Sequence, residues 1–330
     1  MSEFRYARTG QGTTDELPAA QFAVDVQYYL LQSPRQLPSR YFYDELGSAL
    51  FEAICRLPWY RITRAESRLL AAHGSEVFGR VGSASTIVEL GSGSGEKLRL
   101  LIEAGGPHRT ELDVHLVDVS ASALESSARM LGSLDDVGVT THQATYEAGL
   151  AEVARQTPAG ADSLVLFLGS NIGNFDPPGA EEFLRGIRAN LAAGDALLLG
   201  ADLVKPESDL LLAYDDPLGV TAAFNRNLLV RINQELEGDF DIDCFAHRAV
   251  WNAIDSRVEM HLVAKARQQI HIERAALDFR MERDEPIWTE SSYKYQPGDV
   301  VDLLQRCGFG LLEQWIDEVD PFALTFVEAV

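Results

Sequence analysis

The chain predicts a doubly wound α/β fold, a largely parallel sheet with helices on both faces, and three stretches predict it. The first is a run rich in β-branched residues, Thr86-Ile87-Val88, which continues through Glu89-Leu90 into Gly91-Ser92-Gly93-Ser94-Gly95 and then into apolar residues at helical spacing up to Leu101. That is a buried strand, a glycine turn and a helix start. The second is Leu112 to Val117, a strand pattern with an acid, Asp118, at its tip. The third, Ser163 to Leu168, is almost uniformly apolar, as a central parallel strand covered on both faces must be.

The remaining elements follow in order. Residues 1 to about 20 are polar and glycine-rich and predict a frayed leader. Pro18 to Gln32 has helical patterning, and aromatic residues then crowd the chain from Tyr41 to Tyr60, predicting a lid or pocket wall. For any one of those rings, core packing is the plainer role. Beyond Asp118 the patterning predicts a helix around Ala121–Leu134, a short strand at Val137–His142 and a helix near Leu150–Ala154. The central strand runs out into Gly169-Ser170-Asn171-Ile172-Gly173-Asn174, and in an open α/β sheet ligands bind beyond the carboxyl ends of the strands. By position alone, Asn174 serves equally as a brace for that loop.

A helix at Pro178–Leu191, a turn at Ala193-Gly194-Asp195 and a strand at Ala196–Ala201 complete a fifth βα step. The final helix, Gly298–Cys307, and a hairpin of Gly310–Ile316 with Phe322–Val327 come only after roughly ninety further residues, too many for a loop and enough for a subdomain. Within that insert, Pro217–Leu236 has helical periodicity. The alternating segments Ala249–Ala253, Val258–Val263, Gln269–Ile272 and Leu277–Met281, with Asp255-Ser256 as a turn, predict a small antiparallel sheet. The organisation expected is therefore one domain of residues 61–203 with 296–330, and a second, α+β, of residues 1–60 with 204–295.

The turn itself narrows the ligand. Glycines let the backbone bend sharply and approach a ligand, and the following helix presents unpaired N–H groups. A dinucleotide fingerprint would place a third glycine at Glu96; the spacing here is G-x-G-x-G, with Glu89 two residues ahead, which resembles motif I of S-adenosylmethionine-dependent methyltransferases. Asp118 suits both ribose hydroxyls of a nucleoside, a device nicotinamide enzymes share. A tight loop without any ligand is the bland alternative.

Longer motifs are more specific. Tyr41-Phe42-Tyr43-Asp44-Glu45-Leu46-Gly47-Ser48-Ala49-Leu50-Phe51, Leu57-Pro58 with Tyr60 and Thr63-Arg64, Gly91 to Lys97, Val165 to Asn174, Ala213-Tyr214-Asp215-Asp216, Gly219 to Asn227 and Thr289-Glu290-Ser291-Ser292-Tyr293-Lys294-Tyr295 occur in that order over nearly the whole chain. Together they resemble the histidine-specific N-alpha-methyltransferases of ergothioneine biosynthesis. The resemblance implies a Rossmann-like methyltransferase sheet with an inserted substrate-binding domain, S-adenosyl-L-methionine as cofactor and L-histidine as the small-molecule substrate, trimethylated to hercynine. It further implies that Asn174 and Tyr214 hold the substrate carboxylate, and that Tyr43 with the Gly169 loop places the α-amino group. Glu290 and Ser292 bond the imidazole, while Tyr60, Phe51, Phe224 and Met260 shape the cavity. On the cofactor side it implies Glu89, Gly91, Ser92, Gly93, Lys97, Asp118, Thr145, Tyr146 and Gly169. Judged by residue type, Lys97 is equally a solvated helix residue and Met260 a core filler. The chain departs from the family pattern at Thr145-Tyr146, where an acid often precedes the aromatic, at Gly95, where serine is usual, and at the large Trp288.

Bulk properties exclude other classes. A net charge of −22 repels a phosphate backbone, and no basic patch offsets it. Cys55, Cys244 and Cys307 lack metal-ligand spacing and read as reduced core thiols. No run approaches the ~18 apolar residues of a membrane span, and the polar start is not a signal peptide. A cytoplasmic monomer with no nucleic-acid or membrane partner is expected. The rival acceptors are tryptophan, tyrosine or a prenylated indole; the rival class is a non-catalytic S-adenosylmethionine-binding module.

Overall fold

The computed structural model describes residues 16–81, 86–106, 112–157 and 162–330, so the leader expected at the start lies outside the described residues up to position 15. Helix α1 (Glu16–Leu30), β1 (Arg35–Gln36), α2 (Glu45–Arg56) and α3 (Ile62–Val81) precede the glycine turn. The parallel core is laid down by β2 (Thr86–Leu90), α4 (Glu96–Ala104), β3 (Leu112–Asp118), α5 (Ala121–Leu131), β4 (Val137–Gln143), α6 (Tyr146–Gln156), β5 (Ser163–Phe167), α7 (Pro177–Ala189) and β6 (Ala196–Asp202). Next come α8 (Glu207–Tyr214), α9 (Val220–Glu235), β7 (Phe245–Asn252), β8 (Arg257–Ala264), β9 (Gln268–Ile272), β10 (Leu277–Met281) and β11 (Pro286–Tyr293). The last three elements are α10 (Pro297–Arg306), β12 (Phe309–Asp317) and β13 (Phe322–Ala329).

Two compact units result. The first takes Arg61–Val204 and Tyr293–Val330. Its seven-stranded sheet has the order β12-β13-β6-β5-β2-β3-β4, with β13 antiparallel to both neighbours and β2 through β6 parallel. Strands β2, β5 and β6 are buried at every position, which explains why their sequences are mostly apolar. The strand order reverses between β2 and β5, and at such a switch point the loops leaving the two strands part and open a crevice. One face of the sheet packs Val88, Val165, Phe167, Leu197 and Leu199 against Leu184 and Ile187 of α7 and Leu304 of α10.

The second unit takes residues 16–60 and Lys205–Ser292. A four-stranded sheet, β1-β11-β8-β7, carries a long antiparallel β7–β8 hairpin that sets Ala249 opposite Met260. Its turn passes through Asp255-Ser256, with Ser256 at φ 52°. The single small sheet expected for the insert is in fact two: β9 and β10 form a two-stranded sheet of their own, and β11 takes the place beside β8. The predicted helix Pro217–Leu236 is the shorter α9, preceded by a separate α8, because Asp216 turns the chain by accepting from the N–H groups of Leu218, Val220 and Thr221. Of the three free thiols only Cys307 is buried; Cys55 and Cys244 are partly exposed, so the core reading holds for one alone.

Candidate active site

In the first unit the turn after β2 is built from backbone conformations that residues with side chains rarely adopt. Gly91, Gly93 and Gly95 all have positive φ, 79°, 50° and 77°. A Cβ at Gly91 would stand 2.9 Å from Asn171 Nδ2 and 3.1 Å from the Tyr146 hydroxyl; one at Gly95 would stand 2.9 Å from Ser127 Cβ on α5. The second contact leaves little room for a side chain at position 95. At Gly93 nothing lies within 4 Å of such a Cβ, so this peptide faces open space. The Gly93 N–H donates to Asp118 Oδ2 at 3.3 Å, while Asp118 Oδ1 accepts from the Ser120 N–H at 2.9 Å. Burial nonetheless raises the Asp118 pKa above its ordinary value.

Glu89, one residue before the end of β2, is buried, and its Oε2 has no hydrogen-bond partner. Burial pushes its pKa up to about 8, against the pull of Lys97 and with the push of Glu66 and Asp118. The buried Ser92 hydroxyl lies 3.2 Å from Ser127 Oγ, within hydrogen-bond distance. Thr145 is exposed and caps α6 by accepting from the Ala148 N–H. The Tyr146 ring rests on Phe167 and Phe183, and burial pushes its phenol pKa up.

The loop after β5 is held from three sides. Both oxygens of Glu66 accept from the Gly169 N–H, at 2.7 and 3.0 Å, and Lys97 Nζ lies 2.5 Å from Glu66 Oε2. Ser170, at φ 60°, accepts from the Asp202 N–H through Oγ at 2.9 Å. A Cβ at Gly173 would lie 2.7 Å from the Tyr293 carbonyl, so close approach requires glycine here too. Beside this loop Lys294 and Asp202 form a buried ion pair of 3.0 Å. The bracing role open to Asn174 is thus performed by other residues, and its own side chain is exposed.

In the second unit the expected substrate residues draw together as rings. Tyr43 meets Phe51 and Phe224 at centroid distances of 5.6 and 5.9 Å; Phe51 meets Tyr60 at 6.3 Å, and Tyr60 meets Tyr214 at 6.3 Å. The Tyr214 hydroxyl donates to Ser292 Oγ at 2.8 Å. Tyr60 is buried, and its phenol is driven well above its ordinary pKa, first by burial and then by Tyr214, Cys55, Tyr43 and Glu290. Glu290, the carboxylate among those four groups, is half-buried. Asp44 fixes the Tyr43 segment to α9: it caps α2 through the Gly47 N–H and accepts from Asn227 Nδ2 at 2.7 Å. Met260 lies on the buried face of β8 with Val258 and Leu262. Trp288 stacks on His261 beneath the Arg257 guanidinium, and its indole N–H donates to the Glu290 carbonyl.

A family model, the histidine-specific, S-adenosylmethionine-dependent methyltransferases, matches residues 22–329. The chain belongs to that family. It is similar to the histidine N-alpha-methyltransferases of Mycobacterium tuberculosis, 42% identical over 91% of this chain and 92% of that one, and of Mycolicibacterium smegmatis, 40% identical over the same shares. It is also 30% identical to ergothioneine biosynthesis protein 1 of Neurospora crassa, over 78% of this chain but 31% of that longer protein.

The cofactor of this methyltransferase family, S-adenosylmethionine, fits the first unit. Its ammonium group suits the unpartnered Glu89 oxygen, its ribose suits Asp118, and the open side of Gly93 admits a ligand against the backbone. Sequence reasoning missed Asn171, which approaches the glycine turn, and Glu66. A signal for Glu66 existed: it is an acid set among Ile62, Ala65, Leu69 and Leu70 on the buried stripe of α3.

Proposed function

We propose that this methyltransferase transfers three methyl groups to the α-amino nitrogen of L-histidine, giving hercynine on the route to ergothioneine. The observation that carries the reading is the set in the second unit: four aromatic rings in sequence, Tyr43, Phe51, Tyr60 and Tyr214, with the charge of Glu290 contributing to the raised pKa of Tyr60. Rings of this kind favour a flat aromatic or cationic guest, and the acid favours one that donates an N–H, as imidazole does and phenyl does not. The mycobacterial relatives, both histidine N-alpha-methyltransferases by name, support the same acceptor.

S-adenosylmethionine supplies an electrophilic methyl on a sulfonium. The protein's work is to hold its partner neutral at nitrogen, aligned and away from water, and good alignment contributes roughly 7–11 kcal/mol. Glu89 accepts from the cofactor ammonium and Asp118 from the ribose. Ser292, positioned by the Tyr214 hydroxyl, joins Glu290 at the imidazole. The roles of Asn174, Tyr43 and the Gly169 loop toward the carboxylate and amino groups follow the family pattern and are part of the proposal. No nucleophilic side chain is required.

The same reading has the enzyme acting as a cytoplasmic monomer on a free amino acid. Among the described residues no helix is long and apolar enough to cross a membrane. The test is incubation of the purified chain with labelled cofactor and each of the twenty amino acids, followed by mass spectrometry. A gain of three methyl groups on histidine is expected, and preferred transfer to tryptophan or tyrosine, or no transfer, refutes the reading.

A further inference from the structure

The carboxylate of Glu66 lies inside the first unit, fully buried on α3, a helix whose other inward residues are apolar. Burying a charge costs several kcal/mol unless hydrogen bonds and a counter-charge offset it, and here both are present. The Gly169 N–H donates to both carboxylate oxygens, and Lys97 Nζ sits 2.5 Å from Oε2. The sheet makes room for this group: a Cβ at Gly200, in the middle of β6, would lie 2.1 Å from Glu66 Oε1. One carboxylate therefore joins the first turn of α4, directly after the glycine turn, to Gly169, the second residue beyond β5. Because the peptide is planar and trans, fixing the Gly169 N–H fixes the whole Leu168–Gly169 plane.

We infer that Glu66 is a positioning residue for methyl transfer, holding the Gly169 peptide in register with the glycine turn through Lys97. The inference rests on the proposed role of the Gly169 loop at the acceptor amine. It concerns rate more than affinity, since a misplacement of about 1 Å costs on the order of 100-fold in an aligned transfer.

The test measures kcat, KM and affinity for S-adenosylhomocysteine in the full chain, with whichever amino acid the parent methylates fastest, so an error in the acceptor leaves it intact. Glu66→Ala is expected to lose about 100-fold in kcat, with KM and product affinity within about threefold of the parent. Glu66→Gln is expected to recover most of the loss, because its amide oxygen still accepts from Gly169, and Lys97, one quarter exposed, can pair with water. Gly200→Ala keeps every polar group but displaces the carboxylate, and is expected to behave like Glu66→Ala. If Glu66→Ala does not fold, Gly200→Ala decides by the same criterion. A folded variant of either kind with kcat within twofold of the parent overturns the inference. So does Glu66→Gln as slow as Glu66→Ala, which would show that charge matters and the tether does not.

Discussion

Replacing Glu89 by glutamine probes the buried acid under the glycine turn. Its carboxyl titrates at about 8 instead of the ordinary 4.5, with burial the largest cause. The folded protein therefore holds a proton there that the unfolded chain releases between those values. Stability from this group is fully present below pH 4.5 and is lost as pH rises to about 8. At 1.36 kcal/mol per unit, the loss is on the order of 5 kcal/mol at its full extent. Glutamine keeps the shape and the neutral state at every pH. Urea unfolding of the cofactor-free protein from pH 5 to pH 9 should thus give curves that nearly coincide at the acid end and diverge upward in favour of Glu89→Gln at the alkaline end. The same variant should bind S-adenosylmethionine about 10- to 100-fold more weakly by calorimetry, since a hydrogen bond to a charged group contributes ~1.5–3 kcal/mol. Parallel stability curves would refute the argument that this acid is held protonated, and unchanged cofactor affinity would remove it from the site.

Other perturbations separate the two units. Asp118→Ala removes the acceptor beside Gly93 and should weaken cofactor binding at least tenfold while histidine affinity is kept; equal loss of both would point to misfolding. Glu290→Ala should do the reverse, costing histidine affinity tenfold or more in calorimetric titrations with product nucleoside present. Gly95→Ser places a Cβ 2.9 Å from Ser127 Cβ at a φ of 77°, and should lower the melting temperature by several degrees, corresponding to ~1–3 kcal/mol. An unchanged melting temperature would show that the turn relaxes freely.

Much of the first unit was legible because its strands are buried on both faces, so composition marks them: β2, β5 and β6 appear in the sequence as mostly apolar runs, with Glu89 and Asp202 as the acids among them. The glycine turn was legible for a related reason, since positive φ at Gly91, Gly93 and Gly95 demands the residue that shows. Helix α3 was not anticipated, and with it Glu66 passed unseen, because an acid in an apolar stripe looks like an interruption until its partners are known. Strand β11 escaped for a different reason. Its Trp288, Glu290 and Ser292 are polar or amphipathic and half-buried to buried, so it lacks the contrast between faces that marks an ordinary strand. The aromatic set was visible as composition, but which rings meet which depends on turns such as that at Asp216, a few hydrogen bonds that leave little trace in periodicity.

The position of β13 governs how this protein is made. That strand, drawn from residues 322–329, lies between β12 and β6, inside the sheet. Synthesis runs from the amino end, so a ribosome must translate the entire excursion from Lys205 to Ser292 before the partner of β6 emerges. Throughout that interval the nascent chain carries an open strand edge that is apolar from Ala196 to Ala201, a template for pairing with neighbouring chains. Expression yield should depend on chaperone supply and growth temperature, and any premature stop before Phe322 should leave an aggregating fragment.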